Sequence, residues 1–345
     1  MKLAVLFGGS SNEYEVSIVS ACSIIKNLDH QKYEIMPIYL DKNNQFWLWV
    51  KDISTIGPME FGILPEQLEL IEDPFQFLKN MDSVFLMIHG KNGEDGTLAS
   101  VFDFLGISYV GNKPMPSMIT MDKIYAKDIL ELNHIRTAKY IAFTKYLDFY
   151  IMEGKKYTLD QVLDCLETKM IFPLFIKPAN SGSSVGISKA KNREELEQAI
   201  KIALDVDTRI LVEQEIKGRE LECAILECKG KILASTVGEI LASDEFYSYD
   251  AKYKNQESKT VIPALLSSDI ARQIKEIAIQ AFQILNLRGY SRVDFFLDEE
   301  GNIILNEINT IPGFTEISMY PKLWEASGIS YTTLLDILVE ESLKK

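Results

Sequence analysis

Asp294, Glu307 and Asn309 lie close together in the stretch RVDFFLDEEGNIILNEIN, and their oxygens are the kind of ligand that a hard divalent cation such as magnesium takes. Two apolar runs of strand character, RVDFFLD and NIILNEIN, flank a Glu-Glu-Gly-Asn turn signal. If Asp298 and Ile303 close that turn, Asp294 falls directly opposite Glu307 and Arg292 opposite Asn309. All four share one face, because side chains alternate with period two. Two carboxylates facing each other across a ladder repel, and a cation between them reverses the sign. An edge hairpin with its acids turned to water fits the same residues, so the stretch read alone leaves both possibilities open.

Two further stretches carry chemistry of the same kind. From residue 172 the chain reads FPLFIKPANSGSSVGISKAK: a strand, a Ser/Gly loop and a second strand-like run. The loop is not GxxxxGK[ST] and it returns into a strand. That suggests a flap closing over phosphates, with backbone N–H groups and Ser183 pointing in and Lys177 on the adjoining strand. A surface hairpin is the plainer alternative, and the lysine at the loop's root favours the flap. Residues 241–260, LASDEFYSYDAKYKNQESKT, are polar and aromatic without helical or strand period. A loop of this length within a compact domain is usually a lid or disordered, and its tyrosines with Lys252 favour a lid.

Ordinary elements must position these groups. LAVLF (3–7) reads as a buried strand, GGSSNE as a turn and EVSIVSACSIIKNL as a helix, the opening unit of a doubly wound α/β sheet. The glycine pattern GxGxxG is absent, so a dinucleotide site is not supported. Glu13 is as readily a first-turn acid facing the helix dipole as a ligand contact. Strands follow at 33–40 and 83–88, with an irregular segment from Asp41 to Asp73 between them. The second ends in HGKNGEDGT, a polar turn at the carboxyl end of a parallel strand, where such sheets bind ligands; His89 stands there. The pattern shifts near Gly111-Asn112-Lys113-Pro114. A helix over 116–132 then carries Met121-Asp122-Lys123, and an amphipathic helix covers 195–204. RILVEQEIKGRELECAILE supplies two strands, a helix spans 269–286, and TTLLDILVEESLKK closes the chain.

Composition narrows the class. The chain has 345 residues, 47% hydrophobic and 25% charged, enough for two or three globular domains. A net charge of −14 argues against a general nucleic-acid binder, but not against a small anionic ligand held by a few local cations. Four cysteines without CxxC pairing suit idle thiols in a reducing compartment. MKLAVLFGG reads as a first strand rather than a signal peptide, and no apolar run approaches membrane-spanning length. The expectation is a cytoplasmic protein acting on neither nucleic acid nor membrane.

The blocks FGGSSNEYEVS, HGKNGEDGT, MDK, KPANSGSSVGIS, YDAKY, RVDFFLDEEGNIILNEINTIPGFT and SMYP follow one another in an order that resembles the ATP-grasp ligases. Within these, the likeness is to the D-alanine–D-alanine ligase family, and it covers essentially the whole chain. It implies an N-terminal doubly wound parallel sheet followed by a two-lobed ATP-grasp fold (α+β in that part). The expected domains are 1–112, 113–213 (a central lobe with the phosphate flap) and 214–345 (a C-terminal lobe with lid and acidic hairpin). It implies ATP as co-substrate, gripped between the lobes, with Lys123 and Lys177 on the α- and β-phosphates and Ser183, Ser184 and Val185 in the loop over them. Glu213 and Glu220 match the acids that bind the adenine amino group and the ribose, with Gln214, Glu215 and Ile216 in the adenine hinge. Asp294, Glu307 and Asn309 match ligands of two magnesium ions, for which manganese is a possible substitute.

On the substrate side, Glu13 matches the acid that holds the first D-alanine's ammonium, supported by Ser183 and Tyr253. His89 matches a histidine near that substrate. Arg292 and the backbone at Gly313 match the oxyanion-stabilising groups, Lys252 a lid lysine reaching the γ-phosphate, and Ser318 and Met319 the pocket for the second D-alanine. The resemblance implies phosphorylation of one D-alanine to an acyl phosphate, attack by the amine of the other, and a homodimer serving peptidoglycan precursor synthesis. Ligases that couple D-alanine to D-serine or D-lactate are the alternative; Tyr253 and Met319 look like the D-alanine type.

Overall fold

The computed structural model describes residues 1–50, 68–241 and 259–344. Its strands form three sheets among the described residues. The first contains β1 (Lys2–Gly8), β2 (Glu34–Leu40), β3 (Phe46–Trp49), β4 (Leu68–Leu70), β5 (Ser83–Met87) and β6 (Tyr109–Val110), in the order β4-β3-β2-β1-β5-β6. β2, β1, β5 and β6 run parallel, as expected of a doubly wound sheet. β3 and β4 extend it antiparallel, an addition lying in the segment that had no legible period. Every residue of β1 after Lys2 is buried, which is what a central parallel strand covered on both faces requires. α1 (Tyr14–Asn27), α2 (Pro74–Lys79) and α3 (Thr97–Leu105) flank this sheet. The carboxyl ends of β1 and β5 bring two loops together, where the Ser11 hydroxyl donates to the His89 carbonyl at 2.7 Å.

The helix expected over 116–132 is two helices, α4 (Pro114–Met121) and α5 (Lys123–Leu132). Asp122 breaks them by taking an extended conformation, φ −85° and ψ 104°. Its carboxylate then caps α5, accepting from the N–H groups of Ile124 and Tyr125 at 3.1 Å, and ties to Asn180 beside the flap. The break sets Lys123 in the first turn of α5, where its own N–H donates to the Ala179 carbonyl at 3.0 Å.

The second sheet is antiparallel, order β11-β10-β12-β7-β8-β9. Its strands are β7 (Tyr140–Tyr146), β8 (Phe149–Met152), β9 (Lys155–Tyr157), β10 (Leu174–Pro178), β11 (Ser188–Ala190) and β12 (Arg209–Gln214). α6 (Leu159–Lys169), which opens with a Thr158/Gln161 capping box, and α7 (Arg193–Leu204) pack Leu163, Leu166, Leu196 and Ile200 onto it.

The third sheet, order β15-β14-β13-β16-β17, is also antiparallel. It holds β13 (Gly218–Cys228), β14 (Lys231–Leu241), β15 (Lys259–Val261), β16 (Tyr290–Asp298) and β17 (Ile303–Asn309). α8 (Ser268–Ile284) lays Ile274, Ala278 and Ala281 against it at helical spacing. The last helices, α9 (Met319–Ala326) and α10 (Tyr331–Ser342), put Tyr320, Leu323, Trp324, Leu334 and Leu335 into the same buried cluster as Leu3, Val5 and Phe85 of the first sheet.

Candidate active site

In the acidic hairpin, Asp294 stands opposite Glu307 and Arg292 opposite Asn309, the expected partners. The expected turn closure is wrong by one residue. Ile303 pairs with Leu297 rather than Asp298, and a bulge at Asn306 absorbs the extra residue before Glu307. The row extends further, because Glu222 on β13 lies opposite Asp294 from the other side. Three carboxylates therefore cross three strands on one face. Arg292 lies over them: its Nε and one terminal nitrogen each donate to Asp294 at 2.7 Å, and Nε is 3.1 Å from Glu222 Oε2. Asn309 Nδ2 also donates to Asp294, at 3.0 Å. The oxygen-only donor set fits magnesium, which takes one or two carboxylates and fills the remaining positions with water and phosphate. No group of three or more His, Cys, Asp or Glu side chains placed to hold a metal ion forms among the described residues.

One cavity beside this row is lined by Lys123, Lys177, Ser184, Glu213, Gln214, Glu215, Ile216, Glu220 and Glu307. Here the structure brings together the expected nucleotide residues of α5, β10, β12, β13 and the hinge with Ser184 of the flap, whereas Ser183 lines a second chamber and Val185 lines neither. Glu213 is buried between two lysines, Lys127 Nζ at 2.5 Å and Lys177. Burial raises its pKa, but the two ammonium groups outweigh that and hold the carboxyl at about 2. The Glu215 side chain is paired with Lys189 at 2.7 Å. Lys123 Nζ donates to the Ser181 carbonyl at 2.5 Å, anchoring the flap's root. Its desolvation lowers its pKa, opposed by the charges of Glu307 and Glu213.

The flap itself is tightly turned. Ser183 and Ser184 take positive φ, 49° and 60°, an uncommon conformation for side-chain-bearing residues, and Gly186 follows at 74°. The Val185 N–H donates to Gly182 and that of Ile187 to Ser184, closing the loop.

A second chamber opens across Lys123, Ser184 and Glu307 and holds Glu13, His89, Ser183, Arg292, Gly313, Ser318 and Met319. The Ser183 hydroxyl donates to the Glu13 carboxylate, joining flap to first loop. Glycine is needed where that carboxylate is approached: a Cβ on Gly182 would come within 2.7 Å of Glu13 Oε2. His89 is buried; its Nδ1–H donates to the Ile311 carbonyl at 2.9 Å, and burial lowers its pKa. Ser318 sits at the start of α9, its Oγ accepting from the Thr315 N–H at 3.0 Å. The free amide groups at that helix start suit a carboxylate. Lys252 and Tyr253 lie outside the described residues.

Three residues here were not anticipated. Lys127 follows Lys123 by four, on the same face of α5, which was its only sequence signal. Glu94, in HGKNGEDGT, accepts from the Gly90 N–H at 2.9 Å and reaches Ile311 N at 3.4 Å. Its pKa rises to about 8, pushed by desolvation and the Glu13 charge against those two N–H groups. Glu222 shares its strand face with Glu220 by alternation, a period readable in RELEC.

The chain matches the family models described as D-ala D-ala ligase N-terminus, over residues 2–112, and D-ala D-ala ligase C-terminus, over residues 135–340. It is 43% identical to a D-alanine–D-alanine ligase of Caldicellulosiruptor bescii, covering 100% of this chain and 96% of that one. Among solved structures it resembles the VanG D-Ala:D-Ser ligase of Enterococcus faecalis, with a TM-score of 0.85, 34% identity and 99% of each chain covered. It also resembles the D-alanine–D-alanine ligase of Coxiella burnetii, with a TM-score of 0.78, 32% identity, and 99% of this chain and 95% of that one covered.

Proposed function

The chain belongs to the D-ala D-ala ligase family, and on that premise we propose that it joins two D-alanines into D-alanyl-D-alanine with conversion of ATP to ADP and phosphate. The observation that carries the reading is the shared wall of the two cavities. Lys123, Ser184 and Glu307 line both, so the phosphate end of the nucleotide cavity opens onto the chamber of Glu13 and Arg292.

A carboxylate is a poor acyl donor, so the first D-alanine is phosphorylated before its amide forms. Its ammonium rests against Glu13, whose carboxylate is oriented by the Ser183 hydroxyl. Lys123 and Lys177 hold the phosphates under the flap of Ser183, Ser184 and Val185, and Glu213, Glu220 and the hinge 214–216 hold adenosine. Magnesium, as two ions and replaceable by manganese, would be held by Asp294, Glu307 and Asn309 and supplies positive charge to the transferred phosphoryl group. The second D-alanine presents its carboxylate to Ser318 and the start of α9 and its methyl to Met319; its amine then attacks the acyl phosphate. The oxyanion that forms is met by Arg292 and the Gly313 N–H, and phosphate leaves. Water must be kept from the acyl phosphate, a task for which the family resemblance points to Lys252 and Tyr253.

The family's product serves peptidoglycan precursor synthesis, so we place the protein in the cytoplasm, as a homodimer. No helix among the described residues is long and apolar enough to cross a membrane. The test is ATP- and magnesium-dependent phosphate release with D-alanine alone, or with D-serine or D-lactate added, with the product identified by mass. Release with D-alanine alone, giving the dipeptide, is the expected result. A mixed product forming only when D-serine or D-lactate is present overturns the choice of acceptor.

A further inference from the structure

We infer that Glu222 is a positioning residue that takes Arg292 over from Asp294 when the metal binds. The inference rests on the reading of Asp294 and Glu307 as metal ligands. Glu222, Asp294 and Glu307 form one row across β13, β16 and β17, and Arg292 stands in the next row on the same face. In this structure Arg292 closes a two-point contact on Asp294, with both distances 2.7 Å. Such a contact is strong and directional, and it occupies both oxygens of the carboxylate that a metal would need. The Asn309 amide nitrogen also points at Asp294.

Two demands therefore meet on one side chain. A cation at Asp294 competes with the guanidinium for the carboxylate's oxygens. An oxyanion in the neighbouring chamber requires it to stay close, extended and charged. Glu222 meets both. Its Oε2 already lies 3.1 Å from Arg292 Nε, and its side chain is buried, so it holds the guanidinium in place with little loss to solvent. With Nε turned to Glu222, the terminal nitrogens swing off Asp294 and face the cavity that Arg292 lines. Glu222 lines the chamber beside Arg292 and not the nucleotide cavity, so its contact with the guanidinium lies on the acyl side of the site.

The experiment is a double-mutant cycle read by manganese binding to the protein without nucleotide, followed by electron paramagnetic resonance. Glu222→Gln is expected to weaken manganese binding by about tenfold, because Arg292 then remains on Asp294. In an Arg292→Met background the same substitution is expected to change binding by less than about twofold, since the competitor is gone. Glu222→Asp, which keeps the charge, should recover part of the loss. An equal loss in both backgrounds would mean that Glu222 acts on the metal through space, and an unchanged affinity in the first would mean that it holds nothing; either overturns the hand-off. Asp294→Asn is the control: if it leaves wild-type manganese affinity unchanged, the metal reading itself has failed.

Discussion

Lys127 and Glu213 meet at 2.5 Å in the interior, both side chains 4% exposed, one on α5 and the other at the end of β12. The contact welds the helix that carries Lys123 to the strand that leads into the proposed adenine hinge. Lys177 completes the carboxylate's environment from β10. Replacing Lys127 by Met leaves a buried acid with one partner instead of two. Unfolding free energy should fall by about 3 kcal/mol, and ATP binding should weaken with it. Urea unfolding and nucleotide titration check this, and stability equal to wild type would contradict it.

Gly182→Ala tests the approach of the flap to Glu13. The added methyl would sit 2.7 Å from Glu13 Oε2, and the glycine's φ is not in the left-handed region, so the clash is with the carboxylate rather than in the backbone. Displacing that acid should lower kcat/KM for D-alanine by about tenfold or more while the melting temperature stays near wild type. Unchanged steady-state kinetics would show that the flap does not seat Glu13.

Glu307→Gln removes a carboxylate shared by both cavities. Ligation should be abolished with the fold intact, as followed by circular dichroism and by phosphate release across a magnesium series. Wild-type turnover at limiting magnesium would sink the assignment of the acidic row.

Glu94 gives a pH signature of unusual sign. Its carboxyl takes up a proton at about 8 in the folded protein, against an ordinary 4.5. The folded state therefore binds more protons than the unfolded between those values, and stability falls as pH rises through that window. Glu94→Gln does not titrate. Its melting temperature should gain on wild type steadily from pH 5 to pH 8.5, whereas a constant difference would exclude the shift.

Much of the site was legible because its residues sit at ladder and loop positions fixed by short-range pattern. The facing of Asp294 and Glu307 is the instructive case. It was reached from a turn closed one residue too late, and the bulge at Asn306 supplied the compensating residue. A bulge leaves little trace in hydrophobic alternation, so the right pairing rested on two cancelling departures. Lys127 was out of reach for a different reason: a helical lysine looks solvated until a buried acid from another element faces it. The break at Asp122 was hidden because helical period runs through it, and only the contacts to Asn180 and Arg209 show why the chain turns there. The antiparallel strands β3 and β4 fall where no period was legible.

The packing of α9 and α10 against the first sheet bears on how the chain is made. Leu335 and Leu338 are synthesised long after Leu3 and Val5, yet they share a core with them. Tyr33 is bound to Asp336 and Ser83 to Ser342, contacts that span most of the polypeptide. The first sheet thus cannot bury that face until α9 and α10 have been made, although domains ordinarily fold as they emerge. A nascent chain stalled before Tyr331 would expose that apolar surface to chaperones, and only emergence of α10 would close it.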